Sequence, residues 1–160
     1  MSDIPTLCMC VNDNELYDIY KNKVEAHNNN VKNNQFPDSG FDLFVPMNYD
    51  IKRDKVTFVD MQVKTMMETN GVCVGFHLYA RSSMSKMPIM LANHVGIIDS
   101  GYRGNIIAAV RGIEDCVVEK SMRIVQICHP SLCPFFVKLV NEDELVASER
   151  GSRGFGSSGR

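Results

Sequence analysis

Val72-Cys73-Val74-Gly75-Phe76-His77-Leu78-Tyr79-Ala80 is the stretch whose reading decides the fold, with Val72, Val74, Phe76, Leu78 and Ala80 recurring at every second position. Such alternation suits a pleated strand, whose successive side chains point to opposite faces. Asn70-Gly71 stands directly before it, and this pair favours the tight hairpin turns that require positive φ. The same period recurs outward in both directions. Phe41, Leu43 and Val45 alternate with Asp42 and Phe44, and Val56, Phe58 and Val59 follow. Residues 106–110, 123–127 and 135–140 add further runs, separated by turn signals such as Asn48 and Ser100-Gly101. Short strands at regular spacing are the pattern of an all-β sandwich or barrel. Strands and helices do not alternate, and no G-x-x-x-x-G-K-[ST] is present, so a Rossmann or P-loop device is not expected.

Before Pro37 the period changes. Leu16, Ile19, Tyr20 and Val24 recur at three- and four-residue steps, which predicts one short amphipathic helix over 13–27, capped by Asn12 or Asp13. Asn28-Asn29-Asn30 and Asn33-Asn34 then read as a polar loop. At 160 residues the chain suits one domain with a real core. A formal net charge of -2 argues against a nucleic-acid polymer as partner, though a local basic patch could hold a small anion. There is neither a run of eighteen apolar residues nor a signal-peptide pattern, so a soluble cytoplasmic or nuclear protein is expected, with no membrane partner. The six cysteines read as reduced, mostly buried thiols. Cys128, His129 and Cys133 lack a second matched pair for zinc, and Pro130 and Pro134 stiffen the backbone around them.

The final residues, 150–160, contain glycine, serine and arginine with one aromatic, Phe155. So little apolar surface cannot offset the entropy of ordering, and a tail of this kind is expected to be mobile by itself. Its groups nonetheless suit a ligand with a flat ring and several negative charges: arginine forks and serine hydroxyls for phosphate oxygens, Phe155 for a base.

Four stretches upstream complete the pattern. Asp38-Ser39-Gly40-Phe41-Asp42 places an acid just inside a strand. Arg81-Ser82-Ser83-Met84-Ser85 ends a strand with an arginine and three hydroxyls. Asn93-His94-Val95-Gly96-Ile97-Ile98-Asp99-Ser100-Gly101-Tyr102-Arg103-Gly104 surrounds a tight turn with an amide, an acid and a tyrosine. Ser121-Met122-Arg123-Ile124-Val125-Gln126 brings a glutamine to the end of a strand. In this order, and ending in the glycine-rich tail, they resemble the five motifs of the trimeric dUTP pyrophosphatases (dUTPases), from about Asp38 onward.

The resemblance implies an all-β, jelly-roll-like barrel (a β-clip) spanning 1–149, with the helical, Asn-rich segment 13–35 as an insertion and 150–160 as a mobile motif that closes over the site. It implies hydrolysis of dUTP to dUMP and pyrophosphate with Mg²⁺, by water attack on the α-phosphorus, in a homotrimer with shared sites. Asp99 would be the general base. Asn93, Gly96, Ile98 and Tyr102 would receive uracil and deoxyribose, with Phe155 stacked on the base. Arg81, Ser82, Ser83, Gln126, Arg150, Ser157 and Ser158 would hold phosphates, and Asp42 would reach the metal through water. A hairpin that pairs with the uracil edge leaves cytosine unsatisfied, a mismatch that can discriminate by about four to five orders of magnitude.

Three departures stand out: Ser83 and Ser121-Met122 replace the glycine and the Gly-acid pair common in the family, and Arg153 stands where glycine is common. Arg81-Ser82-Ser83 also resembles the dCTP deaminases, but their proton-shuttling glutamate, ten residues after the counterpart of Asp99, is Ala109 here. The bifunctional deaminase–dUTPases share that glutamate. An inactive, dUTP-binding regulatory protein is the remaining alternative, although no essential motif is missing.

Overall fold

The computed structural model describes residues 4–154. Along it run β1 (Thr6–Val11), α1 (Asn14–Asn33), β2 (Gly40–Leu43), β3 (Tyr49–Ile51), β4 (Val56–Thr69), β5 (Val72–Val74), β6 (Phe76–Ala80), β7 (Ile89–Leu91), β8 (Val95–Ile98), β9 (Asn105–Gly112), β10 (Cys116–Val118), β11 (Val125–Cys128) and β12 (Phe136–Leu139). A six-stranded sheet has the order β12-β1-β4-β9-β7, with β5 paired to the end of β4. A four-stranded sheet has the order β2-β11-β6-β8, and β10 pairs with β3. The sheets are not closed into a continuous barrel. Leu7, Met9, Phe41, Leu43, Val59, Phe76, Leu78, Ala108 and Ile127 belong to one buried core contributed by both large sheets. The expected all-β, jelly-roll-like architecture is the one observed.

The stretch 72–80 is two strands, not one. Asn70 (φ 53°) and Gly71 (φ 74°) make the two-residue turn between β4 and β5, and the chain then leaves that sheet. It crosses at Gly75, where a Cβ would lie 3.1 Å from the Ile98 carbonyl oxygen. After the crossing, β6 lies between β11 and β8 in the other sheet. Alternation persists through the break because each half has a core-facing side, which is why the sequence conceals it.

The sequence reading leaves out the short strands β3, β7 and β10, and two longer stretches, β1 and most of β4, also exceed it. Thr6–Val11 is nearly all buried, since β1 lies inside the larger sheet between β12 and β4. A strand covered on both faces need not alternate. β4 continues well past Val59, with Met61, Val63, Thr65 and Met67 on its buried side. Its register against β9 shifts between Asp60 and Lys64, and Gln62 there holds φ 56° with its N–H on Asp60 Oδ1 at 2.8 Å. This bulge turns the strand without ending it.

The helix is longer than its apolar periodicity predicts. Asp13 caps it by accepting from the Leu16 N–H at 2.8 Å. At its other end Asn28, Asn29 and Asn30 are helical, not a loop. Tertiary hydrogen bonds override their weak intrinsic preference. Asn28 donates Nδ2–H to the Val137 carbonyl and accepts the Val137 N–H, both at 2.9 Å. Asn30 Oδ1 accepts from the Asp38 N–H at 3.2 Å. His27 donates Nε2–H to the Phe135 carbonyl at 2.9 Å and packs edge-on against Phe41. Tyr20, fully buried, accepts the Phe44 N–H at its hydroxyl at 2.9 Å. β12 and β2 are outer strands of the two large sheets, so α1 covers one exposed edge of each.

All six cysteines are free. Burial raises the thiol pKa of Cys8, Cys10 and Cys128, which keeps them protonated. Cys133 Sγ touches His129 Nδ1 at 3.3 Å, whereas Cys128 is buried within β11.

Burial under the helix lowers the His27 pKa below its ordinary 6.5, more than its bond to Phe135 raises it. The unfolded chain therefore binds a proton more readily than the folded one. The stabilisation is complete above pH 6.5 and is lost as pH falls toward the lower folded-state value. Thermal melting followed from about pH 7.5 to about pH 5 is expected to show this loss, and His27→Gln, which keeps a donor but cannot titrate, is expected to flatten the curve over that window.

Candidate active site

In the four-stranded sheet, residues aligned across strands point the same way. Asp42, Gln126 and Tyr79 form one aligned row, and Phe41, Ile127, Leu78 and Gly96 form the next. Adjacent rows face opposite sides of a sheet. Two cavities lie at this sheet, one over the Asp42 row and one at the outer strand β8, and no residue lines both.

The larger is a polar groove of about 740 Å³, lined by Asp42, Arg81, Ser82 and Gln126 from the strand side and by Lys23, His27 and Asn30 from α1. Its centre is a carboxylate. Asp42 is 9% exposed, and Arg81 donates Nε–H to Oδ1 at 2.8 Å. Arg123 donates to Oδ2 at 3.2 Å, and Lys23 Nζ lies 3.8 Å from the same oxygen. Arg81 is further fixed through Nη1 by the Arg123 carbonyl and by Ser83 Oγ, both at 3.2 Å. Ser83, expected on phosphate, thus orients the arginine beside it. Ser82 opens a short 3₁₀ turn, and its carbonyl accepts from Ser85 Oγ at 2.6 Å. Gln126 donates to the Ala80 carbonyl at 3.4 Å, across from Gly40, where a Cβ would collide with its side-chain oxygen.

The smaller cavity, about 180 Å³, lies at the β8 hairpin and is lined by Asn93, Gly96, Ile98, Asp99, Tyr102 and Arg150. A tight turn starts it: the Val95 N–H bonds the Asn93 carbonyl at 2.6 Å while His94 takes φ 60°. Gly96 faces Leu78, whose Cβ would stand 3.1 Å from any Cβ added there. Tyr102 donates its hydroxyl to the Asn105 carbonyl at 2.7 Å, and burial followed by the nearby Asp60 charge raises its pKa, so the ring is pinned and protonated. Asp99 is half exposed and ion-paired with Arg150. Arg150 therefore lies at the hairpin and not beside Arg81, Ser82 and Gln126.

The C-terminal segment docks on this hairpin through a residue that sequence reasoning left without a role. Arg103 donates to the carbonyls of Val146, Ser100 and Tyr102 at 2.7–2.9 Å, and its N–H bonds the Gly151 carbonyl at 2.7 Å. Ser148 Oγ bonds the Gly101 carbonyl. Phe155, Ser157 and Ser158 lie outside the described residues. Lys23, His27 and Asn30 were missed as groove residues because α1 falls outside the motif pattern. A lysine on the apolar side of a helix, between Tyr20 and His27, is the signal that could have found Lys23.

Two departures from the motif pattern acquire a geometric reading. Ser121 holds φ 69°, a conformation that glycine adopts without strain, and its N–H bonds the Val45 carbonyl at 2.7 Å. Arg153 is not among the positive-φ residues, so arginine there is unstrained in backbone.

The fold thus offers a cation-lined groove and a small hairpin pocket without a P-loop. A sequence model of the dUTPase family matches residues 26–159. The deoxyuridine 5'-triphosphate nucleotidohydrolase of Desulfitobacterium hafniense is 35% identical over 125 residues, 76% of this chain and 81% of that protein. Its counterpart in Clostridium acetobutylicum is 36% identical over 127 residues, covering 76% and 83% respectively. The solved dUTPase from Streptococcus mutans superposes with a TM-score of 0.50 at 28% identity, over 62% of this chain and 80% of that one. The chain belongs to the dUTPase family.

Asp42→Asn leaves three cations facing one another without a counter-charge. Breaking a buried pair costs about 3–5 kcal/mol, and because these cations are partly exposed a loss of about 2 kcal/mol is expected. Urea unfolding is expected to show a lower midpoint at an unchanged slope.

Proposed function

We propose that this chain hydrolyses dUTP to dUMP and pyrophosphate, with Asp99 activating the water that attacks the α-phosphorus. The observation that carries the reading is the pairing of a half-exposed carboxylate, Asp99, with a small hairpin pocket in a family member that also presents an arginine–serine–glutamine groove.

On this reading uracil enters the hairpin pocket, where the Asn93 amide and neighbouring backbone groups meet its edge and Gly96 leaves room for the ring. The pinned Tyr102 ring lies against the sugar and rejects a 2′-hydroxyl. Arg81, held by Asp42 and Ser83, presents its remaining donors with Ser82 and Gln126 to the phosphates. Arg150 exchanges its contact with Asp99 for the terminal phosphate, while Phe155, Ser157 and Ser158 close over the ligand.

Asp42, the less exposed of the two acids that line the groove, suits Mg²⁺ bound through water, the usual habit of a small, strongly hydrated ion that takes most of its other ligands from phosphate. When bound, the ion would offset phosphate charge. Asp42 is the residue that would face its hydration shell.

The two cavities share no lining residue, which supports a nucleotide whose two ends are held by different copies of the chain. We therefore assign the active form to a homotrimer, in which the groove of one copy meets the hairpin of a second and the tail of a third. Light scattering is expected to give about three times the 18.0 kDa chain mass. A fully active monomer would sink the assembly.

No helix among the described residues is long and apolar enough to cross a membrane. A cytoplasmic or nuclear site, where DNA precursors are handled, fits the reaction. Deamination of dCTP is not favoured, since Ala109 is a buried residue of β9 and offers no carboxylate.

Pyrophosphate release is expected from dUTP and not from dCTP, dTTP or UTP. Asp99→Asn is expected to lower kcat by about 10²–10⁴-fold, the usual loss on removing a general base, with nucleotide binding retained. Turnover within a few-fold of wild type would mean that Asp99 is not the base.

A further inference from the structure

α1 delivers a lysine to a place where lysine is costly. Tyr20, Lys23 and His27 succeed one another at three- and four-residue steps, so they share one face of the helix. Tyr20 and His27 are buried and bonded, to the Phe44 N–H and the Phe135 carbonyl, which fixes the helix on either side of Lys23. The Lys23 side chain is only 29% exposed. Confining it there removes water from the charge and rotamer freedom from the stem.

Asp42 does not account for that cost. Its two oxygens already receive charged hydrogen bonds from Arg81 and Arg123, at 2.8 and 3.2 Å. The ammonium of Lys23, at 3.8 Å, is beyond hydrogen-bond reach. Three cations around one carboxylate leave an excess of positive charge beside Ser82 and Gln126. Asp38, the other acid of the groove, is solvent-exposed and so offsets little of it. Excess cationic charge in a polar concavity concentrates anions.

We infer that Lys23 is a further polyphosphate-binding residue, an ammonium that α1 adds to the groove of Arg81, Ser82 and Gln126 to contact the phosphates of the nucleotide beyond the first. This rests on the dUTP reading given above. Lysine suits the task because its three rotatable donors need no fixed fork geometry, so it can follow phosphate oxygens that shift during reaction. Lys23 lines the groove and not the hairpin pocket, so it acts on the phosphate end alone. The family match begins at residue 26, within α1 and after Lys23.

The test compares wild type, Lys23→Met and Lys23→Arg by calorimetric binding of α,β-imido-dUTP and of dUMP, with thermal melting of each free protein alongside. Lys23→Met is expected to weaken the imido-triphosphate by about 10- to 100-fold, the usual effect of losing a charged hydrogen bond, while dUMP affinity and melting temperature stay as in wild type. Lys23→Arg is expected to keep most of the affinity. Should Lys23→Met not fold, Lys23→Gln carries the same comparison. An unchanged affinity for the imido-triphosphate overturns the inference, and so does an equal loss for both ligands, which would make Lys23 a structural partner of Asp42. A wild-type chain that neither hydrolyses dUTP nor binds the analogue overturns the functional reading itself and takes this inference with it. An active wild type matched by Lys23→Met overturns the inference alone.

Discussion

Asn28 takes the place of a strand. Its single amide satisfies both the N–H and the carbonyl of Val137, the backbone groups that the next strand of the sheet would otherwise pair. An outer strand with free backbone groups is a site for pairing with other chains, and natural β proteins cover such edges. Here the cover is a helix, and it serves two sheets. His27 and Asn28 hold it to the β12 edge while Tyr20 holds it to the chain just past β2. The distance between two sheet edges is thus set by three side chains of α1. The groove lies directly beneath, so its width depends on the same contacts.

That dependence explains why a charged cluster can be tolerated there. Asp42, Arg81 and Arg123 come from β2, the end of β6 and the approach to β11, and each would be expensive to desolvate alone. Held together by strand register and roofed by α1, they neutralise in part and satisfy one another. The hairpin side is arranged differently. Apart from the Asp99–Arg150 ion pair, polar groups here are bound to backbone, as in Tyr102 to Asn105 and Arg103 to Ser100.

Much of this was legible in the residues. Period-two runs located most of the second sheet, Asn70-Gly71 located a turn, and the motifs pointed to residues that line the two cavities. What was not legible has physical causes. β1 is apolar throughout because it is covered on both faces, so its pattern carries no period. The crossing at Gly75 is hidden because strand parity survives it. Asn28 and Asn30 read as loop because their helical state is supported by tertiary partners, Val137 for Asn28 and Asp38 for Asn30, which no local rule contains. Lys23 escaped for the same reason, since its meaning comes from Asp42 and not from its own neighbours.

Arg103 gives the molecule a mechanical property. One guanidinium and one N–H fasten the turn at Ser100–Tyr102 to carbonyls at Val146 and Gly151, so the hairpin and the segment that leads to the C-terminus behave as a jointed pair. Displacing the segment strains the turn that shapes the pocket, and filling the pocket steadies the segment. A change at Arg103 is therefore felt at both ends of the joint, in the turn and in the segment, although it touches only backbone carbonyls in each.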